Sequence, residues 1–84
     1  MVINKRIWKD TKFLLLRPAE KLAIIAGYSS AIKTKAGYSF NWVSVSKALG
    51  TEDTDPVFVV LNEQGWIDKD NIITRDEFME PDNE

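Results

Sequence analysis

The chain has 84 residues, enough for one small domain that folds without staples. It contains no cysteine and no histidine, which excludes disulfides and Cys/His zinc sites and removes the usual general base of an enzyme. Net charge is −2, yet residues 1–47 hold nine Lys/Arg against two acids (Asp10, Glu20), whereas residues 48–84 hold eleven acids against Lys69 and Arg75. If folding keeps the halves apart, the molecule has a field with direction, its basic half suited to phosphate or an acidic partner; interleaving would cancel that field. No apolar run reaches the roughly 20 residues of a membrane span. The N-terminus lacks the apolar core of a signal peptide, so a cytoplasmic protein is expected.

Residues 1–16 are basic with scattered apolar positions and no sustained period. A short strand near residues 2–4 is expected, then a turn or two of helix. Trp8 and Phe13 are expected to dock on the core, with Lys5, Arg6, Lys9 and Lys12 solvated around them. The longest helix is expected over 18–33. Pro18 fits its first turn, and Glu20 puts negative charge near the positive end of the dipole. Leu22, Ile25, Ala26 and Ile32 form one apolar face, and Ile24, Tyr28 and Ala31 another, as in a central helix. Gly27 in its middle costs about 1 kcal/mol against alanine, which suggests close approach of another backbone. Lys33, Lys35 and Gly37 then read as a helix end.

Tyr38-Ser39-Phe40 suits a short strand. Asn41 is a good N-cap for a second helix over 42–49, in which Trp42, Val45 and Leu49 make one stripe and Gly50 supplies the left-handed stop. Asp55-Pro56 reads as an acidic cap followed by proline at the first position of a third helix over 56–64. Its run Val57–Leu61 reads equally as a buried strand; the capping residues on both sides decide for helix. Val57, Phe58 and Leu61 then face the core, and Val59, with Val60, points outward or into a partner. Trp66-Ile67 and Ile72-Ile73-Thr74 flank Asp68–Asn71 as a β-hairpin with a four-residue loop. The fold is expected to end at residue 78, leaving 79–84 as a flexible acidic tail.

The order helix, turn, helix, apolar hairpin is that of a winged helix-turn-helix. The fold class expected is α+β, mainly α: three helices plus a small antiparallel β-hairpin or three-stranded sheet. Trp8-Lys9-Asp10, Phe13–Leu16, Pro18-Ala-Glu-Lys-Leu22, the Gly-Tyr-Ser-Phe strand, the Ala-Leu-Gly helix end and Leu61-x-x-x-Gly65-Trp66-Ile67 carry a further likeness. Over most of residues 6–78 the chain resembles the N-terminal winged helix of phage and plasmid replication-initiation proteins, the DnaD-like replisome organisers. The resemblance implies DNA binding in replication or regulation, and an origin in a phage or mobile element.

A winged helix normally reads base edges with its third helix. No Lys or Arg occurs between Ala48 and Asp68, so that helix is expected to close the core. DNA contact is then expected from Lys33 and Lys35, from Ser39, Asn41, Ser44 and Lys47, from Lys5, Arg6, Lys9 and Lys12, and from Lys69 at the wing tip. The alternative is a protein-interaction module, an adaptor or modulator or a homodimer, that docks through Val59, Val60 and Glu63 and binds no DNA. Asp68-x-Asp70-Asn71 opens like a calcium loop but lacks glycine at its sixth position and glutamate at its twelfth, which is Met79. No nucleophile-and-base pair or phosphate-binding glycine motif occurs. No enzyme activity, cofactor, metal or membrane partner is expected.

Overall fold

The computed structural model describes residues 2–80. Strand β1 (Val2–Ile3) leads into a 3-10 helix (Lys5–Lys9) and one short turn, α1 (Thr11–Leu14). Helix α2 (Pro18–Ser29) is followed by β2 (Ile32–Thr34), β3 (Gly37–Ser39), α3 (Trp42–Leu49) and α4 (Asp55–Glu63). A second 3-10 turn (Asp76–Phe78) and strand β4 (Met79–Glu80) close the described chain. The architecture is α+β and mainly helical, with two antiparallel strand pairs, β1 with β4 and β2 with β3.

The core forms around Trp66 and Tyr28, both fully buried, with Ile7, Phe13, Ile24, Phe40, Val45, Leu61, Ile67 and Phe78 packed about them. Aromatic rings meet edge to face through this core: Phe13 on Trp66 at 6.1 Å between centroids, and Tyr28 on Trp66 at 6.2 Å. The Tyr28 hydroxyl donates to the Trp66 carbonyl at 2.7 Å, which satisfies the one polar atom that α2 carries into the centre. Burial pushes that phenol well above its usual pKa, so it stays protonated and keeps donating.

Helix α2 is shorter than the expected span 18–33. It ends at Ser29, whose hydroxyl donates to the Ile25 carbonyl at 2.6 Å, and the segment Ile32–Thr34, β-branched at its first and last residues, then pairs with β3 instead of continuing the helix. Its buried face is Glu20, Ala23, Ile24, Gly27 and Tyr28, whereas Leu22, assigned above to an inward face, is exposed. Glu20 is only 4 % exposed because its carboxylate turns back on the helix start: the Arg17 N–H donates to Oε1 at 3.0 Å and the Arg17 guanidinium reaches Oε2 at 3.2 Å. At Gly27 a second backbone does approach, the Asn41 N–H donating to the Gly27 carbonyl at 3.3 Å, and a side chain takes the space of a Cβ. A Cβ there would overlap the tip of the Phe40 ring, its Cζ, Cε1 and Cε2 atoms.

The second and third helices stand where expected. Asn41 Oδ1 accepts from the Ser44 N–H at 3.2 Å, and Gly50 ends α3 at φ 71°. Residues 57–61 are helical, with Val57 and Leu61 buried and Val59 exposed. The N-cap of α4 is Thr54 and not Asp55, which is the first helical residue, with Pro56 after it.

Two expectations at the ends of the chain fail. Trp8 is 58 % exposed, since Ile7 takes the inward position of a tight helix with three residues per turn and turns its neighbour outward onto the edge of Phe13. Met79 and Glu80 belong to the fold: they pair with Ile3 and Val2, and the Asn4 N–H donates to the Phe78 carbonyl at 2.7 Å. The rest of the expected tail, 81–84, lies outside the described residues.

Candidate nucleic-acid interface

The hairpin after α4 is joined to the segment before α3. Residue Ile67 bridges Ile73 and Ser39 bridges Ile72; the Ile73 N–H donates to the Tyr38 carbonyl and the Phe40 N–H to the Asn71 carbonyl, both at 2.8 Å. The spatial order is therefore β3, then the returning arm (Ile72, Ile73), then the outgoing arm (Ile67). Strand β3 is shared between the β2 hairpin on one side and this three-element ladder on the other.

Asp68 shapes the loop, accepting from the Asp70 and Ile72 N–H groups at 2.8 and 2.9 Å. Asn71 sits at φ 65°, a conformation that asparagine tolerates well, and its Oδ1 accepts from Trp42 Nε1 at 2.9 Å. That bond ties the loop to the first residue of α3. Neither Trp42 nor Asn71 stands out in sequence as a pair, because nothing in their spacing marks a contact across 29 positions. No group of three or more acidic residues is placed to hold a metal ion among the described residues, and no helix there is long and apolar enough to cross a membrane.

The cations named from sequence fall into separate groups. Lys33 and Lys35 lie on the β2–β3 hairpin and not on a helix end, as the early stop of α2 requires. The register pairs Lys33 with Tyr38 and Ile32 with Ser39, so Ser39 lies on the opposite hairpin face from Lys33. Asn41 joins hairpin to helix: its Nδ2 donates to the Ser30 carbonyl at 3.0 Å while Oδ1 caps α3. Its amide is thus used inside the fold. Ser44 is half-buried on α3, and Lys47 is exposed one turn beyond exposed Val43.

Lys5, Arg6, Lys9 and Lys12 form a second group on the 3-10 turn and α1, before the start of α2. Helix α2 has 12 residues, about 18 Å of rise, and separates this group from the hairpin at its other end. Arg6 and Lys9 border a cleft of about 470 Å³ with Asp10, Arg75, Glu77 and Phe78, where Arg75 already engages both carboxylates. Lys69, on the hairpin loop, borders another cleft with Trp42, Asp55 and Phe58, on the side of α4.

Among the described residues, ion pairs engage Arg17 and Arg75, while Lys33, Lys35 and Lys47 are exposed outside them. Along α4 the exposed positions are Asp55, Pro56, Val59 and Glu63, an acidic face with an apolar centre. The fold thus keeps the polarity of the sequence visible on its surface at these two places. No family model, curated protein or solved structure matches the chain.

Proposed function

We propose that the chain is a winged-helix domain that binds duplex DNA through the β2–β3 hairpin and the outer side of α3, chiefly by phosphate contacts. The observation that carries this reading is the ladder between Tyr38 and Ile73. It fastens the hairpin 66–74 beside β3, which supports reading that hairpin as a wing and α3, Gly50 and α4 as a helix-turn-helix. Lys33 and Lys35 on the hairpin and Lys47 on α3 are exposed cations, whereas α4 carries none. Contacts of this kind position a duplex without reading its sequence. The DnaD-like resemblance supports a role in replication initiation or transcription regulation in a phage or mobile element.

The test is fluorescence anisotropy of a labelled random duplex titrated across a salt series. Binding should weaken with salt at a slope of about −0.9 per phosphate contacted. Lys33→Ala with Lys35→Ala should cut the magnitude of that slope by about 2. No binding at low salt sinks the proposal.

A second reading, a protein-interaction module, draws on one observation. Val59 is 50 % exposed at the centre of α4, between Asp55 and Glu63 on the same face. A face of that chemistry suits an apolar, basic partner surface better than phosphate.

A further inference from the structure

Two stripes of complementary chemistry lie side by side on α4. The first is a groove of about 330 Å³ bordered by Lys12, Leu15, Leu16, Arg17, Glu20, Val60 and Gln64. Its apolar lip, Leu15, is 80 % exposed. Lys12 is exposed on its rim, and the Arg17 side chain is 75 % exposed even with Glu20 bound to it. The second stripe is Asp55, Val59 and Glu63, at i, i+4 and i+8, with a carboxylate one turn to either side of an exposed valine. Val60 and Gln64, which border the groove, each follow a stripe residue by one position. Groove and stripe are therefore neighbouring faces of one helix, about 100° apart around it.

We infer that this surface holds a second copy of the chain in a two-fold symmetric dimer. A two-fold axis beside α4 lays the Val59 stripe of each copy in the groove of the other. Leu15 then meets Val59, and Lys12 and Arg17 meet Glu63 and Asp55, twice over. Complementary patches on neighbouring faces favour such a closed contact over a head-to-tail chain, because a single axis satisfies both. Charge complementarity selects this occupant: the groove has apolar Leu15, Leu16 and Val60 with Lys12 at its rim and Arg17 shared with the turned-in Glu20, and the stripe is apolar with carboxylates at its ends. The surface is small, so association is weak and salt-sensitive. The inference does not rest on DNA binding, which uses the other end of α2.

Sedimentation equilibrium of the full chain tests it, from about 10 μM to about 1 mM, where weak contacts populate. A monomer–dimer equilibrium is expected, weakened by raising the salt. Lys12→Glu and Glu63→Lys should each weaken dimerisation at least tenfold, since each leaves like charges facing. Mixing the two variants should restore a dimer of wild-type affinity: one contact in the mixed pair is native and the other has its charges exchanged. Lys33→Glu with Lys35→Glu should leave dimerisation unchanged while weakening DNA binding, which separates the two proposals. Leu15→Ser and Val59→Ser, both at exposed positions, give the same test without charge reversal if a variant fails to fold by circular dichroism. A chain monomeric throughout, an assembly larger than a dimer, or failure of the mixed variants to associate would overturn the inference.

Discussion

The carboxylate of Asp10 and the guanidinium of Arg75 meet across 65 positions of sequence, with Nη2 at 2.8 Å from Oδ1 and Nη1 at 3.4 Å from Oδ2. The same carboxylate accepts from the Phe13 N–H at 3.0 Å and so caps α1. The guanidinium lies 4.6 Å from the centroid of the Trp66 ring and 4.8 Å from that of Phe78. One planar cation thus fastens the N-terminal turn to the aromatic core and to the end of the chain.

Arg75→Ala should therefore cost more than an ordinary surface ion pair. Both partners are 19 % exposed, the rings lose a cation, and Asp10 keeps its charge without its partner. A loss of about 2–3 kcal/mol is expected in urea unfolding. Asp10→Asn should cost about 1 kcal/mol. A double-mutant cycle should give a coupling of about 1–2 kcal/mol; a coupling near zero would mean that Arg75 acts by stacking alone.

The same pair makes stability depend on acid. The hydrogen bond from Arg75 outweighs partial burial and holds the Asp10 carboxyl below the ordinary value for aspartate. A folded-state pKa below the unfolded one contributes stability that is fully present above the unfolded value, about 3.9, and is lost as pH falls through the folded value. Wild-type unfolding free energy should thus fall more steeply below about pH 4 than that of Arg75→Ala. Parallel pH profiles for the two proteins would remove Asp10 as the source.

What the sequence made legible follows from local chemistry. Asn41, Gly50 and Pro56 carry their conformational preferences with them, so α3 and α4 stand close to where those residues put them. The run Val57–Leu61 is ambiguous by period, and the Pro56 before it favours the helix that forms, though its N-cap is Thr54 and not Asp55. Cations followed by glycine, as Lys33 and Lys35 before Gly37, end a helix as well as they turn a hairpin. The pairing of Ile32–Thr34 with Gly37–Ser39 settles that choice. Trp8 faces outward for a related reason: a 3-10 turn alters which of two adjacent apolar residues faces inward. The Asp10–Arg75 and Trp42–Asn71 contacts join distant segments, and no local period announces them.

Gly27 makes a sharper test of packing. In an isolated helix, Gly27→Ala would add about 1 kcal/mol of stability. Here the added methyl overlaps the buried Phe40 ring, and the Gly27 carbonyl accepts from the Asn41 N–H at 3.3 Å, so the backbone has little room to retreat. A net loss of about 2 kcal/mol is expected in thermal unfolding. Phe40→Leu in the same chain should recover part of it. A stabilised single variant would show that the ring moves freely.

Asn71 combines two roles that substitution can separate. Its backbone sits at φ 65°, and its side chain holds the Trp42 indole. Asn71→Gly keeps the backbone conformation and loses the bond, so a cost of about 1 kcal/mol is expected. Asn71→Ala loses both and should cost about 1–2 kcal/mol more, because a Cβ in the left-handed region is strained. Asn71→Asp keeps an acceptor at the same place and should stay near wild type. The Trp42 indole N–H resonance reports the bond directly, and amide exchange at Ile73, whose N–H donates to Tyr38, reports the ladder beside it. Faster exchange at Ile73 in Asn71→Gly, with no change in Asn71→Asp, would show that the indole bond clamps the hairpin against α3. Equal exchange in both would leave Asn71 with a backbone role only, and the hairpin held by its ladder alone.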